Sequence, residues 1–541
     1  MGRREQKFWG WGEPGAGPPL PEEVAGFLRS AFGVDGDVVN RPASLEDVIL
    51  PTRELGHGVR RRIAGIVGEA HVRDDRLTRI LRAAGKSYLD LLSQRSGRLE
   101  TAPDAVVAPG SAQEVQAVLE ACSADGVAVV PFGGGTSVVG GVAARRGAAD
   151  GVITLDLARL DRVVSLDERS RTACFDPGVR LPEADRVLGA RGYALGHHPQ
   201  SYEWATVGGC VATRSSGQAS TGFGRIDENV VALRCATPAG EVSTLPVPAS
   251  AAGPSLRELL TGSEGTLGVL TELTLEVRPV SEARRYEGWV LESFAAGADV
   301  LCDLAQSGIA PDVARLSDET ETGMSLALAG TGSLKARSGV SFLRARGARE
   351  GCLLIVGWED APQGIGRRRA SAARRLRAAR GRYVGRAPGE AWRAGRYGAP
   401  YLRDHLLDRG VLVETLETAT TWSNLERLHR LVGHALRSAL DTRCLVACHV
   451  SHLYASGASL YFTVLARQDT SEPVTQWLRA KEAASRAIMD AGGTITHHHA
   501  IGRDHASYLP GEVGTLGIDM LRAVKAQCDP MGIMNPGKLL L

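Results

Sequence analysis

Five loops rich in glycine and small polar residues lie within about 140 residues of one another, and they constrain the fold of this chain more than any other feature. The longest, residues 131–141, reads Pro-Phe-Gly-Gly-Gly-Thr-Ser-Val-Val-Gly-Gly and follows a strand candidate at 127–130. Glycine lacks a Cβ atom, so its backbone can adopt positive φ and bring N–H groups against an anion, while Thr136 and Ser137 add hydroxyl donors. The loop therefore predicts a cradle for phosphate groups, with a tight turn as the alternative.

Two nucleotide-binding motifs do not fit this longest loop. No Lys-Ser or Lys-Thr closes it, which excludes a Walker A loop. A Rossmann motif would open a helix here, and Gly140-Gly141 followed by Val142 is a poor helix start.

The other four loops carry the same residue types at 198–201, 205–209, 215–217 and 262–268. Each of them alone is more often a turn than a binding site. Five such loops in one part of the chain indicate contacts along an extended dinucleotide, and we expect FAD.

Length and charge narrow the class of protein. A chain of 541 residues is too long for one hydrophobic core, which favours an enzyme of several domains. Its 63 basic and 61 acidic residues give a net charge of +2, so no overall field predicts a nucleic-acid partner. The nine cysteines form no Cys-x-x-Cys pair, and residues 1–20 lack the apolar core of a signal peptide. We therefore expect a cytoplasmic protein, with membrane association left open.

The order of predicted elements indicates an α+β fold. A segment with apolar residues at helical spacing between 77 and 92 comes first. A strand, a helix, a second strand and the long glycine loop follow it. From residue 281 onward, strands alternate with helices. The predicted strands there are 288–291, 314–316, 353–357, 446–449 and 460–464. The predicted domains are a helical N-terminal segment at 1–100, an FAD-binding domain at 101–280, a cap or substrate domain at 281–500 and a C-terminal segment at 501–541 that returns to the FAD domain.

The motifs also occur in a characteristic order. They are residues 131–141, Asp176-Pro177-Gly178-Val179, Pro199-x-Ser201, Ser216-Gly217, residues 262–268 and the closing stretch 529–538. In this order they resemble the PCMH-type FAD-binding domain of the vanillyl-alcohol oxidase superfamily, from about residue 75 to the end. The resemblance implies an α+β fold in which two subdomains hold FAD between them, and a cap domain with an antiparallel sheet covers the flavin.

A further set of motifs resembles one family within that superfamily. They are Trp9-Gly10-Trp11-Gly12, residues 206–209, residues 213–217, Arg315-Leu316-Ser317-Asp318, Tyr401-Leu402-Arg403-Asp404, Cys448-His449-Val450-Ser451-His452 and His497-His498-His499. The family is that of the alkyldihydroxyacetonephosphate synthases. It implies an ether-lipid enzyme that exchanges the acyl chain of acyl-dihydroxyacetone phosphate for a long-chain alcohol, without net redox change and through a bond to flavin N5. Because covalent attachment commonly uses a histidine near the first loop and none lies between 108 and 196, non-covalent FAD is expected.

The resemblance also implies the site residues. The expected cofactor contacts are Pro131, Gly133, Gly134, Gly135, Thr136, Ser137, Val138, Pro199, Ser201, Thr206, Gly208, Gly209, Ser216, Gly217, Glu264, Gly265, Thr266, Gly268 and Val269. The expected catalytic residues are Tyr461, His497, His498, His499, Arg315 and Arg403. Tyr461 and the three histidines would exchange protons, and the two arginines would hold anionic groups near the flavin.

The residues alone leave other interpretations open. In an extended segment His497 and His499 would face one way and His498 the other, so the three would converge poorly on a metal, and no metal is expected. Arg315 and Arg403 stand among apolar neighbours and need either a structural carboxylate or a substrate phosphate. A lone strand tyrosine such as Tyr461 is usually a core residue.

Partners and the alternative function complete the expectations. We expect lipid-like small-molecule substrates, and a homodimer is left open. The arginine-rich stretch 367–386 predicts a basic helix. Its basic face is expected to be exposed to solvent, and the alternative is that it contacts an anionic membrane surface. The alternative function is an FAD-dependent dehydrogenase or oxidase of a 2-hydroxy acid or a phenol, since removing hydride from a hydroxy acid also requires one group to take a proton and one to hold the carboxylate.

Overall fold

The computed structural model describes residues 4–16, 24–329 and 334–540, without the side chains of 334–337. The N-terminal stretch 1–20 on which the signal-peptide expectation rests lies partly outside these residues. The elements of the N-terminal segment are α1 (Val24–Phe32), α2 (His57–Val67), β1 (Val72–Arg73), α3 (Arg76–Leu81) and α4 (Tyr88–Ser96). The side chains of Asp75 and Ser87 accept hydrogen bonds from backbone N–H groups of the first turn and so begin α3 and α4.

The first FAD subdomain is a small, mainly parallel sheet. Its elements are β2 (Ala105–Val107), α5 (Ala112–Ala124), β3 (Val127–Phe132) and β4 (Gly151–Asp156). The strand order is β1-β2-β4-β3, with β2, β4 and β3 parallel. Parallel strands need a crossover connection, which α5 provides between β2 and β3. The long glycine loop therefore begins where β3 ends.

The second FAD subdomain is built on an antiparallel sheet. Its elements are β5 (Val163–Asp167), β6 (Thr172–Phe175), α6 (Leu181–Gly189), β7 (Tyr193–Ala194), α7 (Val207–Ala212), α8 (Ser220–Phe223), α9 (Ile226–Asn229), β8 (Val230–Thr237), β9 (Gly240–Ser243), α10 (Leu256–Leu260), β10 (Val269–Glu276) and β11 (Arg278–Pro279). The order of the main sheet is β5-β6-β10-β8-β9, and β7 pairs with β11. One face of this sheet buries Phe175 and Leu273 in the core of the subdomain.

The cap contains one large antiparallel sheet. Its elements are β12 (Ala283–Leu291), α11 (Phe294–Gln306), β13 (Val313–Ser317), α12 (Glu319–Ala329), α13 (Leu334–Leu343), β14 (Cys352–Asp360), α14 (Pro362–Ala378), β15 (Arg382–Gly385), α15 (Ala387–Gly395), α16 (Ala399–Leu407), β16 (Val411–Thr421), α17 (Leu425–Leu440), β17 (Cys444–Leu453), β18 (Gly457–Arg467) and α18 (Pro473–Asp490). The strand order is β15-β12-β14-β13-β17-β18-β16. Apolar side chains from α11, α14, α17 and α18 pack on one face of the sheet.

The register of three neighbouring cap strands brings three of their polar side chains together. Tyr461 in β18 lies opposite Glu417 in β16 and opposite His449 in β17. Side chains directly opposite one another in antiparallel strands share a face of the sheet. The sequence analysis did not predict β16, although its run of Val and Thr residues is typical of a strand.

The arginine-rich stretch is not one continuous helix. The helix α14 ends at Ala378, and β15 follows at 382–385. Arg368 forms an ion pair with Asp312, and Arg369 forms one with Glu287, so part of the basic face is neutralised within the cap. No helix in the described part of the chain is both long and apolar enough to cross a bilayer.

The C-terminal segment runs through α19 (Leu509–Cys528) and then joins the first subdomain. The backbone of Val129 donates to Ile533 O at 2.9 Å and accepts from Asn535 N at 2.9 Å. The amide of Asn535 donates to Gly141 O at 3.0 Å and to Glu264 O at 2.7 Å. One side chain from the end of the chain thus ties two of the glycine-rich loops together.

Candidate active site

The first glycine loop lies against the loop that precedes α7. A Cβ atom on Gly133 would meet Thr206 Oγ1 at 2.4 Å, and one on Gly134 would meet Trp204 O at 2.2 Å. Gly135 has φ +67°, a conformation that favours glycine. The close approach of these two loops, one from each subdomain, therefore requires glycine.

The rest of the first loop stays partly accessible. Thr136, Ser137 and Val138 are half-buried, and Ser137 Oγ accepts a hydrogen bond from Gly141 N at 2.9 Å. A cavity beside the loop is lined by residues 132–135 and by basic side chains that include Arg82. Arg82 is itself paired with Glu5 at 2.8 Å and with Asp156 at 2.7 Å, so its charge is partly neutralised within the protein.

The loops that carry residues 199–217 contribute one conspicuous group. Pro199 is buried and Ser201 is half-buried in a turn, while Thr206 Oγ1 accepts from Gly209 N at 3.2 Å. Ser216 is 5% exposed, and its buried hydroxyl has no hydrogen-bond partner among the described residues. A buried hydroxyl without a partner points to a missing ligand, so this region fits FAD.

Close packing explains three further glycines among the expected cofactor contacts. A Cβ atom on Gly208 would meet Pro177 Cβ at 2.5 Å, and one on Gly268 would meet Ala236 O at 2.4 Å. Gly265 has φ +71° and packs against Pro131. These glycines shape the scaffold that presents the loops.

The loop 262–268 presents few free side chains. The carboxylate of Glu264 accepts from Ile501 N at 2.8 Å and from Gly502 N at 2.7 Å, and burial raises the pKa of Glu264 to about 7. Thr266 Oγ1 donates to Ser263 O at 2.7 Å, and Val269 is buried in β10. Because the side chains of Glu264 and Thr266 are used within the protein, these two residues would contact a cofactor through their backbone.

Tyr461 is the centre of an aromatic cluster in the cap. Its ring stacks on His449 with centroids 5.0 Å apart, and it lies 5.9 Å from the ring of His498 and 5.5 Å from that of His499. Its hydroxyl donates to Thr415 Oγ1 at 3.1 Å. Burial raises the pKa of Tyr461 to about 12, so the hydroxyl stays protonated at neutral pH.

The three consecutive histidines surround one carboxylate that the sequence analysis missed. Glu417 accepts from the backbone nitrogens of His497 at 2.6 Å, His498 at 3.1 Å and His499 at 2.8 Å, and from Thr496 Oγ1 at 2.5 Å. The segment is a bend and not an extended strand. The expectation that the rings alternate between two faces is therefore wrong, because Glu417 draws all three backbone N–H groups to one point.

Burial decides the charge state of this group. It lowers the pKa of His497 to about 3 and holds the pKa of His498 well below its ordinary range. Burial alone would raise the pKa of Glu417, but the adjacent histidines and Thr496 hold it well below its ordinary value. At neutral pH the cluster is therefore a carboxylate among neutral imidazoles.

Arg315 reaches the cluster through a second carboxylate. Its Nη2 donates to Glu321 Oε1 at 2.6 Å, and His449 Nδ1 lies 3.1 Å from the same oxygen. Burial alone would raise the pKa of Glu321, but Arg315 and His449 lower it below the ordinary range. Because His449 stacks on Tyr461, the arginine is linked to the tyrosine by three successive contacts.

Arg403 occupies a separate position. It lies 4.0 Å from the carboxylate of Glu414, and its side chain is 11% exposed. Its buried Nε has no hydrogen-bond partner within the described part of the chain. Arg403 thus keeps donor capacity that Arg315 has committed to Glu321.

One histidine that the sequence analysis did not place among the site residues joins the cap to the FAD domain. His452 Nε2 donates to Gly217 O at 3.0 Å, and its Nδ1 lies 3.0 Å from Ser459 Oγ. Its ring centroid is 5.0 Å from that of His497 and 5.4 Å from that of His498. The histidine cluster is therefore held against the loop that contains the unpartnered Ser216 hydroxyl.

Comparison with known proteins agrees with this arrangement. Residues 103–246 match the FAD binding domain family, and residues 280–539 match the family of C-terminal domains of FAD linked oxidases. A relative from Dictyostelium discoideum, alkyldihydroxyacetonephosphate synthase, is 30% identical over 96% of this chain and 88% of its own length. The chain belongs to the alkyldihydroxyacetonephosphate synthase family.

Other members of that family extend the match. The alkyldihydroxyacetonephosphate synthase of Trypanosoma brucei brucei is 29% identical over 99% of this chain and 92% of its own length. A solved structure of an alkyldihydroxyacetonephosphate synthase superposes with a TM-score of 0.83 at 28% identity, over 98% of this chain and 99% of that one. The expected resemblance, the α+β fold with a PCMH-type domain and the FAD cofactor are thereby confirmed.

Within this synthase family fold, one group of described residues could also approach a metal. Nitrogens of His452, His497 and His498 lie within 4.8 Å of one another. Both nitrogens of His452 and both of His497 already take part in hydrogen bonds within the protein. We therefore interpret the cluster as a set of hydrogen-bonded imidazoles.

Proposed function

We propose that this chain is an FAD-dependent alkyldihydroxyacetonephosphate synthase, which replaces the acyl chain of acyl-dihydroxyacetone phosphate with a long-chain alcohol. The observation that carries the proposal is the hydrogen bond from His452 to Gly217 O, because it sets proton-exchanging side chains against a cofactor loop. Near full-length similarity to synthases in several organisms supports the same reaction. The product class is an ether-lipid precursor.

Proton exchange is the first task of the site. When bound between the glycine-rich loops, FAD would supply the group-transfer chemistry at C1 of the substrate. We assign the uptake of the proton from C1 and its later return to the neutral imidazoles of His497, His498 and His499 acting together. The protonated hydroxyl of Tyr461 would orient the substrate oxygen beside them.

Holding negative charge is the second task. We assign Arg403 to the phosphate or the leaving carboxylate, because its Nε has no hydrogen-bond partner among the residues that the structure describes. Arg315 would act at the edge of the same site while its pairing with Glu321 keeps His449 and Tyr461 in place. Gly133, Gly134, Thr136, Ser137 and Ser216 would hold the cofactor from the other side.

Substrates of this class are lipid-like. We propose that access to them involves a peripheral contact between the cap and an anionic membrane surface through the exposed arginines of α14, such as Arg367 and Arg374. The cytoplasmic setting, the homodimer and the domain boundaries at 100, 280 and 500 remain predictions. Binding to vesicles with and without anionic lipid would test the contact, and sedimentation would test the dimer.

The second candidate is a flavin dehydrogenase of a 2-hydroxy acid. A D-lactate dehydrogenase from Arabidopsis thaliana is 26% identical over 81% of this chain and 73% of its own length. A hydroxy acid also needs an arginine for its carboxylate and a histidine for its proton. The commitment of Arg315 to Glu321 leaves fewer cationic donors for that role.

The deciding experiment uses the purified flavoprotein without oxygen. Palmitoyl-dihydroxyacetone phosphate and hexadecanol are added in one sample and D-lactate in another, while the flavin spectrum and the ether product are followed. Ether formation without net flavin reduction is the expected result. Bleaching by D-lactate with no ether product would instead establish the dehydrogenase.

A further inference from the structure

A hydrogen-bonded chain of three side chains leads away from the histidine cluster. His498 Nδ1 lies 2.9 Å from His497 Nδ1, and His497 Nε2 lies 2.6 Å from the hydroxyl of Tyr454. Each of these groups can accept one proton while it gives up another. The three side chains therefore form a continuous path along which a proton can move.

The adjacent carboxylate determines the direction of these hydrogen bonds. Glu417 Oε2 lies 3.4 Å from His498 Nδ1, which favours a proton on that nitrogen. His497 Nδ1 then accepts from His498, so the neutral His497 carries its own proton on Nε2, facing Tyr454. The same order leaves His498 Nε2 without a proton and able to act as a base.

Tyr454 lies at the outer end of this path. It belongs to the turn between β17 and β18, it is half-buried, and the next two residues, Ala455 and Ser456, are exposed. Its hydroxyl also contacts Arg225, whose guanidinium is held by two hydrogen bonds to Asp227 at 2.9 and 3.1 Å. Arginine only donates, so this contact leaves the hydroxyl proton free to pass to another acceptor.

We propose that His497 and Tyr454 relay protons between His498 and water. A proton taken up at His498 Nε2 releases the proton on Nδ1 to His497 Nδ1, and His497 releases its Nε2 proton to the Tyr454 oxygen. The former hydroxyl proton of Tyr454 passes to water, so one proton enters, one leaves, and no electron moves. The inference rests on the proposed function, which requires a proton to leave C1 of the substrate and another to return.

The test removes one hydroxyl. In Tyr454→Phe we expect release of label from C1-tritiated acyl-dihydroxyacetone phosphate to water, and formation of ether product, to slow by about 10-fold or more. Added imidazole, a diffusible proton carrier, should restore the rate in this variant and leave the wild type unchanged. The matched control is Tyr508→Phe, which removes the hydroxyl that contacts Ser485 away from the cluster.

Two outcomes would overturn the relay. One is a Tyr454→Phe variant that releases label as fast as wild type. The other is a slow variant that imidazole does not rescue and that unfolds at a lower temperature, because that combination indicates a structural role.

Failure of the proposed function is recognised separately. A wild-type protein that forms no ether product overturns the proposed function. In that case nitrogen-15 NMR of the histidines tests whether the hydrogen-bonded chain exists. Loss of the Tyr454 hydroxyl should shift the ring signals of both His497 and His498, assigned with single substitutions of each. Unchanged signals would show that the hydrogen-bonded chain does not exist in solution.

Discussion

The carboxylate of Glu417 lies 2.6 Å from the backbone nitrogen of His497. This one contact joins β16, an edge strand of the cap sheet, to a bend that is 80 residues further along the chain. Two more backbone N–H groups and the Thr496 hydroxyl converge on the same carboxylate. The positions of the three imidazoles therefore depend on an acidic residue that need not touch substrate.

Replacing that carboxylate tests the dependence. In Glu417→Gln the new amide group would face backbone donors, so the bend should shift and kcat should fall by about 10²-fold with little change in KM. The protein should also lose about 1–3 kcal/mol of unfolding free energy at pH 7. Steady-state kinetics and urea unfolding measure both, with exposed Glu426→Gln as the control.

The pH dependence of this loss has a defined sign. The pKa of Glu417 is lower in the folded protein than in the unfolded chain, so its stabilisation is present above the unfolded value of about 4.3 and is lost at lower pH. The gap between wild type and Glu417→Gln should therefore narrow as the pH falls below that value. A gap that widened in acid would contradict the assignment.

Buried neutral histidines should make the protein sensitive to mild acid. Burial lowers the pKa of His197, His198, His497 and His505 to about 3 and that of His452 to about 4. The unfolded chain binds these protons near pH 6.5, so stability should fall as the pH drops from 6.5 towards 4, by up to about 1.4 kcal/mol per pH unit for each histidine.

Urea unfolding at pH 8, 7, 6 and 5 checks this slope. In His505→Gln, the slope of unfolding free energy against pH should be smaller by about the contribution of one bound proton. This is because His505 is buried and donates to Ala500 O at 3.0 Å. Equal stability at pH 8 and pH 5 would mean that these histidines are not buried as neutral groups.

Gly135 is expected to control cofactor retention. It has φ +67°, and a Cβ atom there would meet the ring of Phe132 at 2.5 Å. In Gly135→Ala, left-handed strain of about 1–2 kcal/mol and the displaced ring should weaken FAD binding by about 10-fold or more. The ratio of flavin to protein absorbance after gel filtration measures this, and Gly189→Ala, at the end of α6 with open space around it, should keep its flavin.

Arg403 should affect substrate binding more than turnover. Its buried Nε has no partner in the described part of the protein, so Arg403→Gln should raise KM for the phosphate-bearing substrate by about 10-fold or more. The flavin spectrum should stay unchanged, and Arg403→Lys should recover part of the loss. A fall in kcat at unchanged KM would assign the arginine to the chemical step instead.

The sequence by itself determined the fold class and the cofactor, and it contained the residue types of the candidate site. Glycine at positions such as 133–135 is a local signal, because only glycine allows such close backbone approach, and the order of the loops is preserved in the linear chain. The residue types Tyr461 and His497–His499 were likewise visible without coordinates. Their assignment to the site came from the family resemblance, because a lone strand tyrosine is usually a core residue.

Only the tertiary structure decided how these residues are connected. Glu417 lay on a strand that was not predicted, and nothing in the sequence couples it to a bend 80 residues away. The contact of His449 with Glu321, the contact of His452 with Gly217 and the path to Tyr454 join residues that are far apart in the sequence. Burial of the imidazoles is also a property of the packed cap. It keeps them neutral by excluding water from the rings, and the extent of this burial depends on tertiary packing.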